Sequence, residues 1–115
     1  MLDSGTIIRT VKLLEQAAPQ ATVMVSGSYA RGTATGKSDL DLLVVVPGPV
    51  ARRIEAARLR AVLRPLEITA DILVVTEQTF QHWLRTPGMI TIEPGRPYAC
   101  VRFGVGIWRT FGRPI

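Results

Sequence analysis

The sequence predicts a layered α/β (α+β) domain. Apolar residues recur at helical spacing in some segments, short β-prone runs stand between them, and Pro or Gly closes most segments. The resulting order of helix, strand, loop, strand, helix, strand, helix is that of an α/β layered fold. At 115 residues the chain suits a single domain. A chain of this size buries roughly two-thirds of its unfolded surface, enough for a core without disulfide staples. An apolar fraction of 47% with 20% charged residues is the balance of a folded chain, not a disordered one.

The first segment, Thr6 to Ala18, sets Ile7, Val11, Leu14 and Ala18 on one helical face, with Ser4 as the expected N-cap and Pro19 as the stop. Ala21 to Val25 is a short β-prone run that halts at Ser26-Gly27. Asp39 to Val46 reads as a second strand, buried beyond its acidic start and closed by Pro47-Gly48-Pro49. Val50 to Leu63 reads as a helix with Ile54, Ala57, Ala61 and Val62 on its apolar side, and Pro65 stops it. Its arginines, Arg52, Arg53, Arg60 and the following Arg64, point mostly outward. Leu66 to Val75 is the third strand, and Glu77 to Arg85 a short helix with Phe80, Trp83 and Leu84 on its apolar stripe before Pro87-Gly88.

These elements assign residues 1–88 to the core. Residues 89–115 change character: Gly, Pro and Arg are frequent, Glu93 is the one acid, and no period emerges. Short strands such as Tyr98 to Phe103 fit that composition. So does a partly ordered tail.

Cys100 is the single cysteine, which leaves no disulfide framework and no multi-cysteine zinc site, and suits a reducing compartment. The start, Met1-Leu2-Asp3-Ser4-Gly5, lacks the layout of a signal peptide, and no apolar run nears about 20 residues. The expected location is cytoplasmic, away from membranes. The net charge of +5 is carried almost wholly by arginine. That balance suits polyanions such as nucleotides or RNA, or an acidic partner, and is equally met by an arginine-rich solvated surface.

The chemically informative stretch runs from Gly27 to Leu42. Asp39 and Asp41 flank one residue on the expected strand, so their side chains leave one face about 6.5–7 Å apart along the backbone, while Leu40 turns into apolar packing. Paired carboxylates at the start of an apolar strand repel each other and lose hydration, which a divalent cation relieves. Hard oxygen ligands favour Mg²⁺ or Mn²⁺ over zinc. Asp71, amid β-branched residues, makes sense if it faces the other two across a sheet. Three converging carboxylates could hold two ions about 3.5–4 Å apart, the arrangement used in phosphoryl chemistry. Gly27 lets the backbone approach a ligand, and the amides that follow, with the Ser28 hydroxyl, could donate to phosphate oxygens. Arg31 or Lys37 could offset triphosphate charge. The stretch is not a P-loop, since it lacks the Gly-Lys-Ser/Thr ending at the required spacing.

Gly27-Ser28, ten further residues, then Asp39-Leu40-Asp41 resembles the signature of the DNA polymerase beta-like nucleotidyltransferase superfamily. The pattern is most similar to the minimal nucleotidyltransferase branch, often encoded as the antitoxin beside a HEPN-domain toxin. The resemblance extends through Ala30-Arg31-Gly32, Ser38 and Leu42, includes Asp71 on the third-acid strand, and covers roughly Ile7 to Gly88. It implies a nucleotidyltransferase fold, a small mixed β-sheet flanked by helices. It also implies that Gly27 and Ser28 contact the triphosphate, with Arg31 a weaker addition. By the same resemblance Asp39 and Asp41 bind Mg²⁺, and Asp71 completes the site and assists the acceptor hydroxyl. The implied activity is transfer of AMP from ATP to a tyrosine of a partner HEPN toxin, with which the chain could form an oligomer.

Two alternatives stand beside it. One is a non-catalytic antitoxin that acts by direct contact; the other is modification of a small molecule such as an aminoglycoside, for which the chain is short. Past Gly88 the chain departs from the pattern, because relatives continue with a helix and a short closing segment. His82 has no second His or Cys nearby and reads as a surface residue, Cys100 as a small packed residue, and Phe80 and Trp83 as core. Nucleic acid is not an expected partner, although Trp108 and Phe111 beside Arg102, Arg109 and Arg113 could form such a contact, or a protein contact, if exposed.

Overall fold

Alternation along the strands decides the architecture. The protein is described by a computed structural model that covers residues 1–93 and 96–104. Its elements are α1 (Ser4–Ala17), β1 (Thr22–Ser26), α2 (Gly27–Arg31), β2 (Leu40–Val46), α3 (Arg52–Val62), a 3-10 turn (Arg64–Leu66), β3 (Ala70–Thr76), α4 (Glu77–Arg85), β4 (Ile90–Glu93) and β5 (Cys100–Phe103). The strands form one five-stranded mixed sheet in the order β3-β2-β1-β5-β4. β2 runs antiparallel to β1 and parallel to β3, whereas β5 runs parallel to β1 and antiparallel to β4. The mixed α/β class expected from the sequence is the one found.

Successive side chains of a strand point to opposite faces, so each strand feeds two cores. On one face Leu40, Leu42 and Val44 of β2 join Val23 and Val25 of β1 and Ile72 and Val74 of β3. Ile7, Val11 and Leu14 of α1 and Ala56 and Leu59 of α3 cover that face. On the other, Leu43 and Val45 join Met24, Val75 and Val101 beneath Phe80 and Trp83 of α4. Burial on both sides explains why β2 reads as an unbroken apolar run after its acidic start. The Trp83 and Phe103 rings meet edge to face, with centroids 6.1 Å apart and planes at 84°.

Several boundaries differ from the sequence reading. Asp3, not Ser4, caps α1: its Oδ1 accepts the Thr6 amide at 2.8 Å, and Ser4 is already inside the helix. α3 buries Ala56 and Leu59, with Leu63 just beyond it, while Ile54 is 73% exposed. Positions 56, 59 and 63 follow the helical repeat, and Ile54, two residues from Ala56, falls on the far side. β3 starts at Ala70 instead of Leu66, because the chain first winds the 3-10 turn and Glu67 takes a left-handed φ of 52°. α4 keeps its expected limits, its N-cap supplied by Thr76 Oγ1 accepting from the Thr79 amide at 3.2 Å.

Beyond Gly88, β4 and β5 join the sheet, and the Val25 amide donates to the Ala99 carbonyl at 2.8 Å. His82 is exposed, and Cys100 is buried, where burial raises its thiol pKa. The readings of Trp108, Arg109, Phe111 and Arg113 lie outside the described residues. Among the described residues no helix is long and apolar enough to cross a membrane. Arg52, Arg53 and Arg60 border a groove of about 430 Å³ against Ile72, Leu73 and Val74, on the α3 side of the sheet.

Trp83, only 2% exposed, and the solvated Ile54 should respond very differently to truncation. Urea denaturation of Trp83→Ala is expected to show a loss of about 3–5 kcal/mol. Ile54→Ala should change stability by less than about 0.5 kcal/mol.

Candidate active site

The acidic residues gather where β2 and β3 begin, beside the end of β1. Antiparallel pairing sets Ser26 opposite Asp41, and parallel pairing sets Asp41 opposite Asp71. Side chains of paired residues share a face, so Ser26, Asp41 and Asp71 all lie on the α4 side of the sheet. Adjacent strands are about 4.8 Å apart, which makes the two carboxylates immediate neighbours. The sequence reading placed Asp39 on the strand. It lies one residue before β2, which begins at Leu40, whose amide donates to the Thr69 carbonyl at 3.0 Å. Leu40 itself is fully buried on the opposite face, as expected.

Electrostatics bear out the proximity. The Asp41 carboxyl is pushed up from 3.8 to about 6, first by burial, then by the negative charges of Asp71 and Asp39, with Arg31 pulling it partly back. Asp39 and Asp71 are exposed and Asp41 is half-buried. Arg31, at the exposed end of α2, is therefore close enough for its charge to be felt at the acidic pair.

The turn from β1 into α2 closes the site from the other side. Gly27 has a φ of +68°, and a Cβ there would overlap the Asp41 carboxylate, lying 2.9 Å from its Cγ. Only glycine allows the backbone to press so closely on an acid. α2 starts at Gly27 and ends at Gly32, which takes the left-handed conformation and returns its amide to the Ser28 carbonyl. The short helix runs from Gly27 to Arg31, so Gly27 and Ser28 form its first turn.

Ser38 and Thr35 shape the loop that returns the chain to β2: the Thr35 amide donates to Ser38 Oγ at 2.8 Å and the Ser38 amide to the Thr35 carbonyl at 3.1 Å. Lys37 is exposed on that loop.

Two contributors were missed in the sequence. Arg96 donates to the carbonyls of Ala30, at 3.0 Å, and Tyr29, at 3.4 Å, and so ties the β4–β5 connection to the end of α2. Nothing in its Pro/Gly-rich surroundings signals that role. Ser26 was read only as the end of a strand; it is 1% exposed and its hydroxyl meets no partner among the described residues. The signal for it was its position, one residue before the glycine.

The donor set fits a hard cation such as Mg²⁺: the Asp41 carboxylate, its ionisation opposed by burial and by the charges of Asp71 and Asp39, lies beside a backbone stripped of any side chain. Among the described residues no three His, Cys, Asp or Glu side chains are grouped tightly enough to cage a metal. Mg²⁺ does not require a cage, since it keeps waters and binds through one or two carboxylates together with substrate phosphates.

Asp41 binds its proton more tightly in the folded chain than in the unfolded one, so the ionised carboxylate subtracts from stability above pH about 6. The penalty fades as the pH falls from about 6 towards 3.8. Without metal or nucleotide, Asp41→Asn should therefore be more stable than wild type at pH 8, by about 1–2 kcal/mol after allowance for solvent access. That gain should disappear by pH 4. Urea melts at the two pH values check it.

Comparisons with known proteins agree with this geometry. The profile of the nucleotidyltransferase domain family (NTP_transf_2) matches residues 7–92. No curated protein matches the chain. A solved crystal structure of a toxin–antitoxin with AMP-PNP superposes with a TM-score of 0.50 at 27% identity, over 64% of this chain and 57% of that one. The aligned part thus spans little more than half of the solved chain. The residues matched by the family profile run from the core face of α1 through all three acids to β4, and the chain belongs to the nucleotidyltransferase domain family.

Proposed function

We propose that the domain is a Mg²⁺-dependent nucleotidyltransferase that moves AMP from ATP to a hydroxyl acceptor, a tyrosine of a partner HEPN-type toxin. The observation that carries this reading is the apposition of Gly27 and Asp41. A left-handed glycine lies against a carboxylate that is itself crowded by Asp71 and Asp39. Such an arrangement concentrates negative charge beside an open backbone and suits a cation with a polyphosphate. Family membership supports nucleotidyl transfer as the chemistry. The similar structure is of a toxin–antitoxin with AMP-PNP, which favours an adenine nucleotide as donor and a partner protein as the carrier of the acceptor.

In this reading Asp39 and Asp41 hold the metal, and the turn at Gly27 and Ser28 receives the triphosphate. Mg²⁺, when bound, supplies the positive charge that offsets carboxylates and phosphates together. Arg31 adds a further positive charge that is felt at Asp41. Asp71, exposed next to Asp41, orients the acceptor hydroxyl and takes its proton as the oxygen attacks the α-phosphorus and pyrophosphate departs. A second Mg²⁺ ion, completed by waters and phosphate oxygens, would fit the same chemistry.

Calorimetry with Mg²⁺ and AMP-PNP tests the reading directly. Wild type should bind, and the folded double variant Asp39→Asn/Asp41→Asn should not. Asp41→Asn alone should abolish AMP transfer while circular dichroism shows an intact fold. Full transfer by that variant would remove the mechanism. A folded wild type indifferent to the nucleotide would favour an antitoxin that works by contact alone.

A further inference from the structure

We infer that Ser26 is a positioning residue for Asp41, its hydroxyl donating to that carboxylate when metal and nucleotide are bound. The inference deepens the reading of the site as a Mg²⁺–nucleotide site and rests on it.

Three observations on one residue lead there. Ser26 is 1% exposed, and its Oγ is buried without a hydrogen-bond partner among the described residues. It also occupies the N-cap position of α2, where a serine side chain ordinarily accepts a backbone amide of the first turn. It makes no such bond. Finally, it is paired with Asp41 in the β1–β2 register, so the two side chains stand on one face. Directly opposed residues have Cβ atoms about 4.5–5.5 Å apart, which brings a serine hydroxyl within reach of a carboxylate oxygen after a rotamer change.

A hydroxyl buried without a partner weakens a fold, because it has given up water and gained nothing. Its cross-strand neighbour Asp41 is a group that could change this. A carboxylate that ligates a metal through one oxygen leaves the other to be held by an outer donor, and that donor fixes the ligand's orientation. On the β1 side Ser26 is the residue paired with Asp41, and the Gly27 backbone lies against its carboxylate. Ser26, buried with no partner for its hydroxyl among the described residues, is thus placed to complete the site.

The test compares wild type, Ser26→Ala and Ser26→Thr in two measurements: thermal melting without ligand, and calorimetric binding of Mg²⁺–AMP-PNP. Ser26→Ala should melt no lower than wild type yet bind roughly tenfold more weakly. Ser26→Thr, which keeps the hydroxyl, should bind close to wild type. Unchanged affinity in Ser26→Ala overturns the inference, and so does a lowered melting temperature, which would mark Ser26 as merely structural. If the alanine protein does not fold, the shape-matched pair Ser26→Thr and Ser26→Val makes the same comparison. Wild type that binds no Mg²⁺–AMP-PNP would overturn the site reading itself, an outcome distinct from equal binding by wild type and Ser26→Ala.

Discussion

The placement of one carboxylate governs much of the rest. Asp41 is paired with Asp71 on one side and Ser26 on the other, and Gly27 turns directly against it. That position depends on strand register, and β2 has an unusual problem there. Its apolar residues are buried on both faces, so hydrophobicity alone distinguishes poorly between the true register and one slipped by a residue. Asp41 breaks the ambiguity. A one-residue slip would carry its charge to the face of Leu40 and Leu42, under α1 and α3, where an unpaired carboxylate is costly. The acid that serves the site thereby also marks how the central strands align.

The two faces of the sheet then divide the work. The α1–α3 side contains the larger apolar cluster and the buried Leu40, and gives β2 and β3 a firm support. The α4 side carries the smaller cluster and, beyond Met24, Leu43 and Leu73, the polar layer of Ser26, Asp41 and Asp71. Rigid strands hold that layer more precisely placed than a loop would. Local conflict among like charges and an unpaired hydroxyl is tolerated because the rest of both cores is well satisfied, which is where violations of ordinary folding rules are expected.

Much of this was legible in the residues. Pro87-Gly88 closes α4 in the sequence as in the structure, because a breaker is local chemistry, while the Thr76 cap is shown by the structure. The acids and the glycine were legible too, through spacing and the improbability of charges inside apolar runs. The face of α3 was not. Ile54 is as apolar as any core residue, and only the packing of Ala56 and Leu59 against the sheet shows which side turns inward. Likewise Asp39 belongs to the loop, since a strand starts where its hydrogen bonds start, and the first of these is made by Leu40. β4 and β5 are short, and the pairing that joins them to the sheet, β5 with β1, is non-local, so no period announces them.

Those last strands bear on the site more than their composition suggests. β1 carries Ser26 at its end and has β2 on one side; β5 occupies the other, through the Val25 amide and the Ala99 carbonyl. The connection into β5 also brings Arg96 onto the last carbonyls of α2. A short helix has little stability of its own, and its terminal carbonyls need partners. Arg96 meets that need from a segment beyond the residues the family profile matches. Ending the domain at Gly88 would bare one edge of β1 and remove the guanidinium that anchors α2. Gly27 and Ser28 lie between those two supports. The turn that faces Asp41 is therefore held in place partly by residues that follow Gly88, although every group proposed to touch metal or phosphate lies before it.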